Sequence, residues 1–510
     1  MRKAFWTVFI FLILLIAAIG WFHRGALWAY VVVLPLFALG VYDTIQKRHI
    51  ILRNFPLLGY FRYGFEFISP EIQQYFIERS TDGRPFSRQQ RSLVYQRAKN
   101  VMDTVPFGTQ LDINAANYEG IRHTIYPKEK PAEAPRVKFG GAYCKKPYMA
   151  SLLNVSAMSF GALSDRAVMA LNLGAKKGGF YHNTGEGGLS DHHLKYGGDL
   201  VWQIGTGYFG CRTKEGNFDA KLFQEKVAAH PQVKMIELKI SQGAKPGHGG
   251  VLPAVKNTPE IARIRHLEPH TTVISPPGHT AFHDAKSLLE FIGKLRDLSG
   301  GLPVGFKLCI GRTEEFTEIC EQMVKTGMRP DFITVDGAEG GTGASPLEFT
   351  DSVGMPIEPA LMFVRRTLER YGLHGEIKVI ASGKVLTAAS LMKMLALGAD
   401  TCNSARGFLF SLGCIQALRC NTNKCPTGIT THDRSLVRGL VVSDKCERVY
   451  NFHKNTLHTF MELLAACGLD KVEDIRMSDF MRGDEFVQLA NRYFPDGLGA
   501  VMNVSPGASA

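Results

Sequence analysis

The sequence predicts an α/β protein, a (β/α)8 TIM barrel preceded by an N-terminal two-helix membrane hairpin. Two long uncharged apolar runs open the chain, and from residue 146 onward short apolar runs alternate with longer helical stretches. The short runs end on Gly, Ser or a charged residue. Strand and helix patterns that alternate in this way are typical of a parallel sheet. The chain has 510 residues, of which 45% are hydrophobic, so it is long enough to build one large domain.

The hairpin, assigned to residues 1–50 with its basic flank, is predicted from two neighbouring apolar segments. Ala4 to Phe22 carries no charge and is about as long as a bilayer is thick, and Leu27 to Tyr42 follows after a short turn. A cleaved signal peptide is the alternative, because Arg2 and Lys3 precede the first segment. Signal peptides, however, have a shorter apolar core of about 7–15 residues and no second apolar segment.

Basic residues lie mainly on one side of the hairpin. Arg2 and Lys3 precede it, and Arg24 alone lies in its turn. The basic residues that follow it are Lys47, Arg48 and Arg53. By the positive-inside rule both ends of the hairpin lie in the cytoplasm. The predicted location is therefore a membrane, with the remaining chain facing the cytoplasm.

The net charge of +12 is concentrated near the hairpin. Residues 1–42 hold three Lys/Arg and no acid, and residues 43–150 hold 17 Lys/Arg against 10 Asp/Glu. A basic collar beside a membrane anchor attracts anionic lipid headgroups. We expect no nucleic-acid partner, because the sequence has no zinc-finger spacing and no RNP-type motif. Residues 51–147 are predicted as a helical and linker region that ends in the Pro- and charge-rich segment 127–146.

Eight segments between Tyr148 and Phe410 are predicted as barrel strands, within a barrel domain of residues 148–433. They are MASLLNVSAM, FYHNTGEGG, KMIELKISQG, TTVISPPGH, LPVGFKLCIG, DFITVDGAEGG, IKVIASGKV and DTCNSARG. Eight such units over about 250 residues match the usual size of this barrel. An open doubly wound sheet is the alternative. In a barrel the functional residues are expected at the C-terminal ends of the strands.

Three cysteines, Cys414, Cys420 and Cys425, lie within twelve positions. The ten cysteines of a cytoplasmic domain are mostly reduced, which favours metal or redox use over a disulfide framework. Zinc prefers four ligands, commonly as CxxC pairs that this spacing lacks. Closely spaced thiolates suit an iron–sulfur cluster, and three of them favour a three-iron cluster, with zinc or structural thiols as alternatives. Cys402 is a possible source of a fourth thiolate.

Glycine-rich strand ends predict a phosphorylated cofactor across the barrel mouth. Gly185–Gly188, Gly340–Gly343 and the run Ser382-Gly383-Lys384 allow backbone amides to approach a ligand closely. A literal GxGxxG also occurs within residues 205–210. We set it aside as a nicotinamide site, because the segment CRTKEGNFD that follows is no helix start.

Five motifs together point to a known family. They are NTGEGG (183–188), KISQGAKPGHGG (239–250), ISPPGH (274–279), DGAEGGTGAS (336–345) and LGCIQALRCNTNKCPTGI (412–429). They occur in the order seen in the FMN-binding synthase domain of glutamate synthase, which this chain resembles from about Tyr148 to Asp433. The resemblance implies a TIM barrel with FMN at its mouth and a [3Fe-4S] cluster on Cys414, Cys420 and Cys425. Such a cluster would deliver single electrons to the flavin.

Catalytic roles follow from this resemblance together with the chemistry of reductive amination. Lys307 is similar in position to the lysine that faces the flavin N1 and C2 carbonyl, where a cation stabilises reduced flavin. Glu186 is expected to hold ammonia or the substrate amine, and Lys239, Gln242 and Lys245 to bind a dicarboxylate. Each role has a structural alternative. Lys307 would instead be a surface lysine, Glu186 a solvated carboxylate, and the dicarboxylate-binding lysines would be paired with acids elsewhere.

The flavin is expected to lie against the end of the first barrel strand, at Ser156, Ala157 and Met158. Its phosphate is expected in a cradle made by the last three strand ends and the helix that follows. The cradle residues are Gly341, Gly343, Ser382, Gly383, Lys384, Ala405 and Arg406.

The chain departs from the glutamate synthase pattern at both ends. Full glutamate synthases begin with a glutaminase domain and continue into a Gly-rich β-helical domain, whereas here a hairpin precedes the barrel. We therefore expect ammonia to come free or from another polypeptide. Residues 434–510 are predicted as a helical extension with a frayed tail. No nicotinamide domain is evident, so an external electron donor such as ferredoxin or a reductase subunit is expected.

Three functions are consistent with the sequence. The first is an FMN and iron–sulfur oxidoreductase that makes glutamate from 2-oxoglutarate and ammonia. The second is a flavoenzyme of the same fold that acts on another amino or oxo acid, because His248 stands where the family usually has an acid. The third is a membrane-anchored electron-transfer module without its own substrate, against which a preserved dicarboxylate pocket would count.

Overall fold

The computed structural model describes residues 1–101 and 103–482. The chain forms two compact units, of which the first is Met1–Arg88 and the second begins at Gln89. The end of the predicted tail, residues 483–510, lies outside the described residues. The helices are α1 (Arg2–Phe22), α2 (Tyr30–Ile45), α3 (Ile50–Asn54), α4 (Gly59–Ile72), α5 (Arg88–Lys99), α6 (Asp165–Gly178), α7 (Asp191–Leu194), α8 (Ala220–Ala229), α9 (Pro259–Arg265), α10 (Ala285–Leu298), α11 (Thr313–Thr326), α12 (Leu347–Ser352), α13 (Ile357–Arg370), α14 (Ala388–Ala396), α15 (Arg406–Leu412), α16 (Arg434–Val437) and α17 (Val442–Ala466).

The strands of the described residues are mostly short. They are β1 (Glu119–Ile121), β2 (Val137–Phe139), β3 (Tyr148–Ala150), β4 (Leu153–Val155), β5 (His182–Asn183), β6 (Leu200–Ile204), β7 (Val233–Lys239), β8 (Val251–Leu252), β9 (Val273–Ile274), β10 (Val304–Leu308), β11 (Phe332–Asp336), β12 (Lys378–Ser382), β13 (Thr401–Ser404) and β14 (Phe480–Arg482).

In the first unit, α1 and α2 pack as an antiparallel pair. Phe5 stacks on Phe37 with ring centroids 5.9 Å apart, and Gly40 permits this approach because a Cβ there would lie 2.2 Å from the Phe5 ring. The Tyr30 hydroxyl donates to the Ile13 carbonyl at 2.8 Å. The two predicted apolar helices are confirmed. The mean hydropathy is 2.5 for Arg2–Phe22 and 1.9 for Arg24–Ile45, a segment that joins the 3-10 turn to α2. By length and composition each is able to cross a membrane.

In the second unit, eight parallel strands close into a barrel. The strand order is β4-β5-β6-β7-β10-β11-β12-β13, and β13 pairs with β4 to complete the ring. The predicted barrel is confirmed, and the open doubly wound sheet is wrong. The polar interior of the barrel is organised by Glu237 of β7, whose carboxylate accepts from Asn183, Gln203 and Thr334 at 2.8, 2.6 and 2.6 Å.

One of the eight predicted barrel strands is wrong. The segment TTVISPPGH contributes only β9, which pairs antiparallel with β8 outside the barrel. Pro276 and Pro277 follow at once and lack the N–H groups that a central strand needs. The missing barrel strand is β6, LVWQI, all five residues of which are buried. A short run of buried residues, four of the five apolar, is typical of a strand covered on both faces.

The N-terminal end of the barrel is closed by the antiparallel pair β2–β3. Phe139 packs edge-on against Phe332 with ring centroids 5.6 Å apart. Beside them, Asp331 accepts from Nε and Nη2 of Arg296 at 3.1 and 2.9 Å and from two backbone N–H groups. Because β2 lies inside the segment predicted as a linker, that segment contributes to the packing of the barrel floor.

The long helix α17 packs along α6 on the outside of the barrel. Gly174 lies at the contact, where a Cβ would come within 2.5 Å of Val449 and 2.8 Å of the Cys446 carbonyl oxygen. After α17 the chain turns back, and β14 pairs antiparallel with β1. The predicted C-terminal extension is thus helical as far as Ala466 and then adds a strand.

Candidate functional site

A cleft opens at the C-terminal ends of β5, β6 and β7. It holds about 270 Å³ of space between atoms, part of which is open solvent. The lining residues are Glu186, Thr206, Lys239, Ile240, Ser241, Gln242, Gly247, His248, Gly249, Gly250 and Pro277. Three of the predicted catalytic residues are therefore in the wall of one cleft.

The cleft is centred on an ion pair between Glu186 and Lys239. Lys239 ends β7, and Glu186 follows Gly185, whose positive φ of 64° turns the loop after β5. The Lys239 Nζ and the Glu186 Oε1 are 2.9 Å apart, with side-chain exposures of 8% and 19%. Burial raises the pKa of the Glu186 carboxyl, but nearby cations, Lys239 first, outweigh this and lower it. Glu186 is therefore an ionised carboxylate at neutral pH.

Further cations surround this pair. Lys245 is buried, donates from Nζ to the Ala344 carbonyl at 3.0 Å, and burial lowers its pKa to about 8. Burial also lowers the pKa of the Arg265 guanidinium to about 10. Lys307 pairs with Lys239 in the register of β10 and β7, and its Nζ lies 3.7 Å from the Asp336 carboxylate. Four cations thus face two carboxylates, and the local charge favours an anionic ligand.

The five predicted catalytic residues occupy two layers. Glu186, Lys239 and Gln242 line the cleft. Lys245 and Lys307 are buried behind it at the neighbouring strand ends. His248 also lines the cleft, and its ring packs edge-on against Phe349 with centroids 5.3 Å apart.

The predicted flavin-binding residues lie on the other side of the mouth, at the ends of β4, β11, β12 and β13. The hydroxyl oxygens of Ser156 and Ser382 are 3.5 Å apart. The backbone N–H of Met158, two residues after Ser156 and next to Ala157, donates to the Asn183 carbonyl at 3.3 Å. This set therefore follows the strand ends, as the sequence predicts.

The predicted phosphate cradle gathers around the start of α15. Ala405 precedes this helix and Arg406 is its first residue. A Cβ on Gly341 would meet nothing nearer than the Arg406 guanidinium at 3.9 Å, and a Cβ on Gly343 nothing nearer than Cys420 at 3.4 Å. These two glycines therefore leave open space beside a cation. The remaining predicted cradle residues lie at the end of β12, where Ser382 is the last strand residue and Gly383 and Lys384 follow it.

The three clustered cysteines lie on the loop after α15. Cys414 follows the helix end, and its carbonyl accepts from the Tyr95 hydroxyl at 2.6 Å. Arg406 Nη1 lies 3.8 Å from the Cys420 sulfur. Burial raises the pKa of the Cys425 thiol, but hydrogen bonds from Thr427 and neighbouring groups outweigh it and lower the pKa.

No three His, Cys, Asp or Glu side chains among the described residues converge closely enough to share a single metal ion. A cluster takes one thiolate for each iron and does not need its thiols to share an ion. Cys402 lies within β13, fully buried, where burial raises the pKa of its thiol. It is therefore a wall residue of the barrel, separate from the loop that carries the three clustered thiols.

Several residues of the site had no sequence signal strong enough to single them out. Arg265 ends α9 and donates from Nη2 to the Phe160 carbonyl at 3.1 Å; in the sequence it is one arginine among several in a polar helix. Lys256 donates to the Ala162 and Cys420 carbonyls at 3.0 Å each. His279 donates from Nε2 to the Lys239 carbonyl at 2.8 Å. Unlike the other two, it ends a motif, ISPPGH, that is recognisable in the sequence.

Comparison with known proteins finds relatives over most of the chain. Residues 118–470 match the family described as "Conserved region in glutamate synthase". The glutamate synthase large subunit-like protein YerD of Bacillus subtilis is 40% identical over 477 residues, covering 85% of this chain and 90% of that protein. The archaeal glutamate synthase [NADPH] of Methanocaldococcus jannaschii is 34% identical over 331 residues. This second match covers 64% of this chain and 61% of the archaeal protein.

Two solved structures align with this chain at TM-scores below 0.5. The recombinant flavin-binding domain of baker's yeast flavocytochrome b2 aligns with a TM-score of 0.43 and 13% identity, covering 88% of this chain and 92% of that one. A mandelate oxidase mutant with a monooxide FMN adduct aligns with a TM-score of 0.42 and 13% identity, covering 81% and 97%.

Proposed function

Because the chain belongs to the glutamate synthase family, we propose that this oxidoreductase uses FMN and a [3Fe-4S] cluster to make glutamate from 2-oxoglutarate and ammonia. The observation that carries the proposal is the buried Glu186–Lys239 pair in a cleft with an excess of cations. A carboxylate poised to hold an ammonium group, beside cations that hold carboxylates, matches the two substrates of a reductive amination.

The residues at the mouth fit a flavin mononucleotide. The open space beside Gly341 and the Arg406 guanidinium suits a phosphate. The hydroxyls of Ser156 and Ser382 supply neutral hydrogen-bond donors at the neighbouring strand ends. FMN, when bound, supplies hydride transfer, and Lys307 would stabilise negative charge at the edge of its ring.

The cysteine loop fits a three-iron cluster. Cys414, Cys420 and Cys425 supply three thiolates from one loop, which suits such a cluster. Two cations, Arg406 and Lys256, contact the loop at Cys420 and would offset the charge of the thiolates. Because a Cβ on Gly343 would lie 3.4 Å from Cys420, the cluster loop and the cradle are adjacent.

Substrate binding is assigned to the cleft. Lys245, Lys239 and Gln242 would bind the two carboxylates of 2-oxoglutarate. Glu186 would accept hydrogen bonds from ammonium or from the imine that forms. The ion pair with Lys239 holds the Glu186 carboxylate in one position at the cleft wall.

The reaction is tested with the full chain in detergent, reduced under anaerobic conditions. Adding 2-oxoglutarate with ammonium is expected to reoxidise the flavin promptly and to yield glutamate, whereas neither compound alone does so. Glu186→Gln is expected to slow this step, because a neutral amide binds ammonium less strongly. If the flavin stays reduced in a protein that contains iron and FMN, the proposed reaction is wrong.

A second candidate function, a reaction on a different amino or oxo acid, is favoured by one residue. His248 lies in the wall of the substrate cleft, at a position where the family usually has an acid. Reoxidation of the reduced protein by another 2-oxo acid, with 2-oxoglutarate inactive, would support this second function. A pure electron-transfer module is disfavoured by the charged cleft itself.

The remaining proposals concern the setting of the enzyme. The barrel domain is assigned to residues 148–433, with the helical extension after it and the linker region before it. The hairpin of α1 and α2 would anchor the protein in a membrane, with the barrel facing the cytoplasm. Electrons would come from an external donor such as ferredoxin or a reductase subunit, and ammonia from solution or from another polypeptide.

A further inference from the structure

The helix α4 carries an apolar face that stays exposed within the part of the chain that the structure describes. Phe61, Phe65, Ile68 and Ile72 follow the spacing i, i+4, i+7, i+11, which places them on one side of the helix. Their exposures are 67%, 64%, 41% and 37%. A contiguous exposed apolar face of this kind marks an interaction surface. The π-helical turn that follows adds Phe76, which is 84% exposed.

The position of α4 is fixed relative to the apolar helix α2. Asp43, near the end of α2, is fully buried and accepts from the Leu57 backbone N–H at 3.0 Å and from the Tyr60 hydroxyl at 2.9 Å. Leu52 packs against Gly59, where a Cβ would lie 2.7 Å from the Leu52 side chain. The first turn of α4 is therefore held at the end of the second candidate membrane span.

The chain around this junction is strongly basic. Residues 46–65 contain four Lys/Arg and no acid. These are Lys47, Arg48, Arg53 and Arg62, all of them exposed. Arg62 also forms an ion pair with Glu66 at 2.8 Å, so Lys47, Arg48 and Arg53 are the main cations for a headgroup. An exposed cationic segment at the end of a membrane span attracts anionic headgroups, by about 1 kcal/mol for each Lys or Arg near the surface.

We propose that α4 lies in the headgroup layer of an anionic membrane, with the face of Phe61, Phe65, Ile68 and Ile72 buried among the acyl chains. This proposal rests on the proposed membrane anchoring of the hairpin. Amphipathic helices with aromatic residues on one face and basic residues nearby bind membranes in this way. A bilayer is the favoured occupant over a partner protein, because the first turn of α4 is held at the end of α2, a candidate membrane span.

The experiment places a photo-crosslinking residue on either side of α4 in the full chain. Phe65 is replaced by p-benzoylphenylalanine in one variant, and Glu66, on the opposite face, in a matched variant. A third variant carries the same residue at Leu14, a 64% exposed position of α1. Each variant is reconstituted in vesicles of phosphatidylcholine with or without phosphatidylglycerol, irradiated, and analysed for lipid adducts by mass.

The proposal predicts that the Phe65 variant forms lipid adducts several-fold more often than the Glu66 variant. The excess is expected to fall when phosphatidylglycerol is omitted, because the basic residues then lose their partner. Equal lipid labelling of the two faces overturns the proposal, as does crosslinking of Phe65 mainly to a second copy or to residues beyond 88. Absence of lipid adducts at Leu14 overturns the membrane anchoring itself, so the two failures are distinct.

Discussion

At the scale of single residues, Lys245 is buried directly behind the wall of the candidate substrate cleft. Burial lowers the pKa of its ammonium group to about 8. The group is charged below that pH and neutral above it. Its charge is therefore available to a dicarboxylate at neutral pH and is lost within a range that is convenient for experiment.

We predict that the affinity for 2-oxoglutarate declines as the pH rises through about 8. Lys245→Gln should lower that affinity about 10- to 100-fold at pH 7, the usual effect of losing a hydrogen bond to a charged group. The variant should also lose the pH dependence. Calorimetric titration of the full chain without ammonium measures both effects. Lys221→Gln is the control, because that side chain is 86% exposed; a pH profile unchanged by Lys245→Gln would contradict the assignment.

The residue scale also shows how much of the site the sequence predicts. Glu186, Lys239 and Gln242 were within reach because each lies next to glycine or in a motif at a strand end, and they do line one cleft. Arg265 could not be predicted from the sequence, because its place beside the site depends on the way α9 folds back towards the glycine-rich loop. A side chain that reaches the site from a distant helix leaves no local pattern.

A second prediction concerns Arg296, whose ion pair with Asp331 lies at the N-terminal end of the barrel. Arg296→Met should destabilise the fold by about 3–5 kcal/mol, because the buried carboxylate of Asp331 loses its cation. The affinity for 2-oxoglutarate should stay the same, since residues at the N-terminal end of such barrels support stability and not catalysis. Thermal unfolding of the full chain measures the first effect. Arg366→Met, at a side chain 86% exposed, should leave the melting temperature almost unchanged; equal melting of both variants would refute the prediction.

At the scale of elements, the contact between α6 and α17 holds the C-terminal helix on the barrel. Gly174→Ala should cost about 1–3 kcal/mol, because its Cβ would overlap Val449 and the Cys446 carbonyl. Gly293→Ala in α10 is the matched control, since a Cβ there meets nothing within 4 Å. That change should be neutral or stabilise by up to about 1 kcal/mol, through helix propensity. The melting temperatures of the two variants, each compared with the unaltered chain, test this prediction. Equal shifts would contradict it, because they would show that α17 moves away from the added Cβ without a loss of stability.

The element scale explains where strand prediction fails. Seven barrel strands follow from short apolar runs that end on Gly, Ser or a charged residue, a pattern produced by the strands themselves. LVWQI was missed because its neighbours read as a glycine-rich loop, although all five of its residues are buried. TTVISPPGH has the right composition, but which apolar run enters the barrel depends on long-range pairing that no local pattern encodes.

At the scale of the whole molecule, the two apolar helices predict a tight association with membranes. We expect the full chain to stay in the membrane pellet both in high salt and after alkaline carbonate extraction. Salt screens the attraction of basic residues to lipid headgroups, but it does not remove helices that span the bilayer. Immunoblots of pellet and supernatant measure the outcome. Release by salt alone would mean that the protein is bound only at the membrane surface.

The hydrogen bond from Tyr95 to the Cys414 carbonyl joins residues that are 319 positions apart. A ribosome that adds about 5–20 residues per second needs roughly 16–64 s to synthesise the chain between them. The barrel likewise closes only when β13 reaches β4. During that interval the hairpin has left the ribosome while the partly built sheet keeps open edges, which invite aggregation. The interval of synthesis therefore leaves the growing sheet open to aggregation, and chaperones that cover its edges should improve the yield of folded protein.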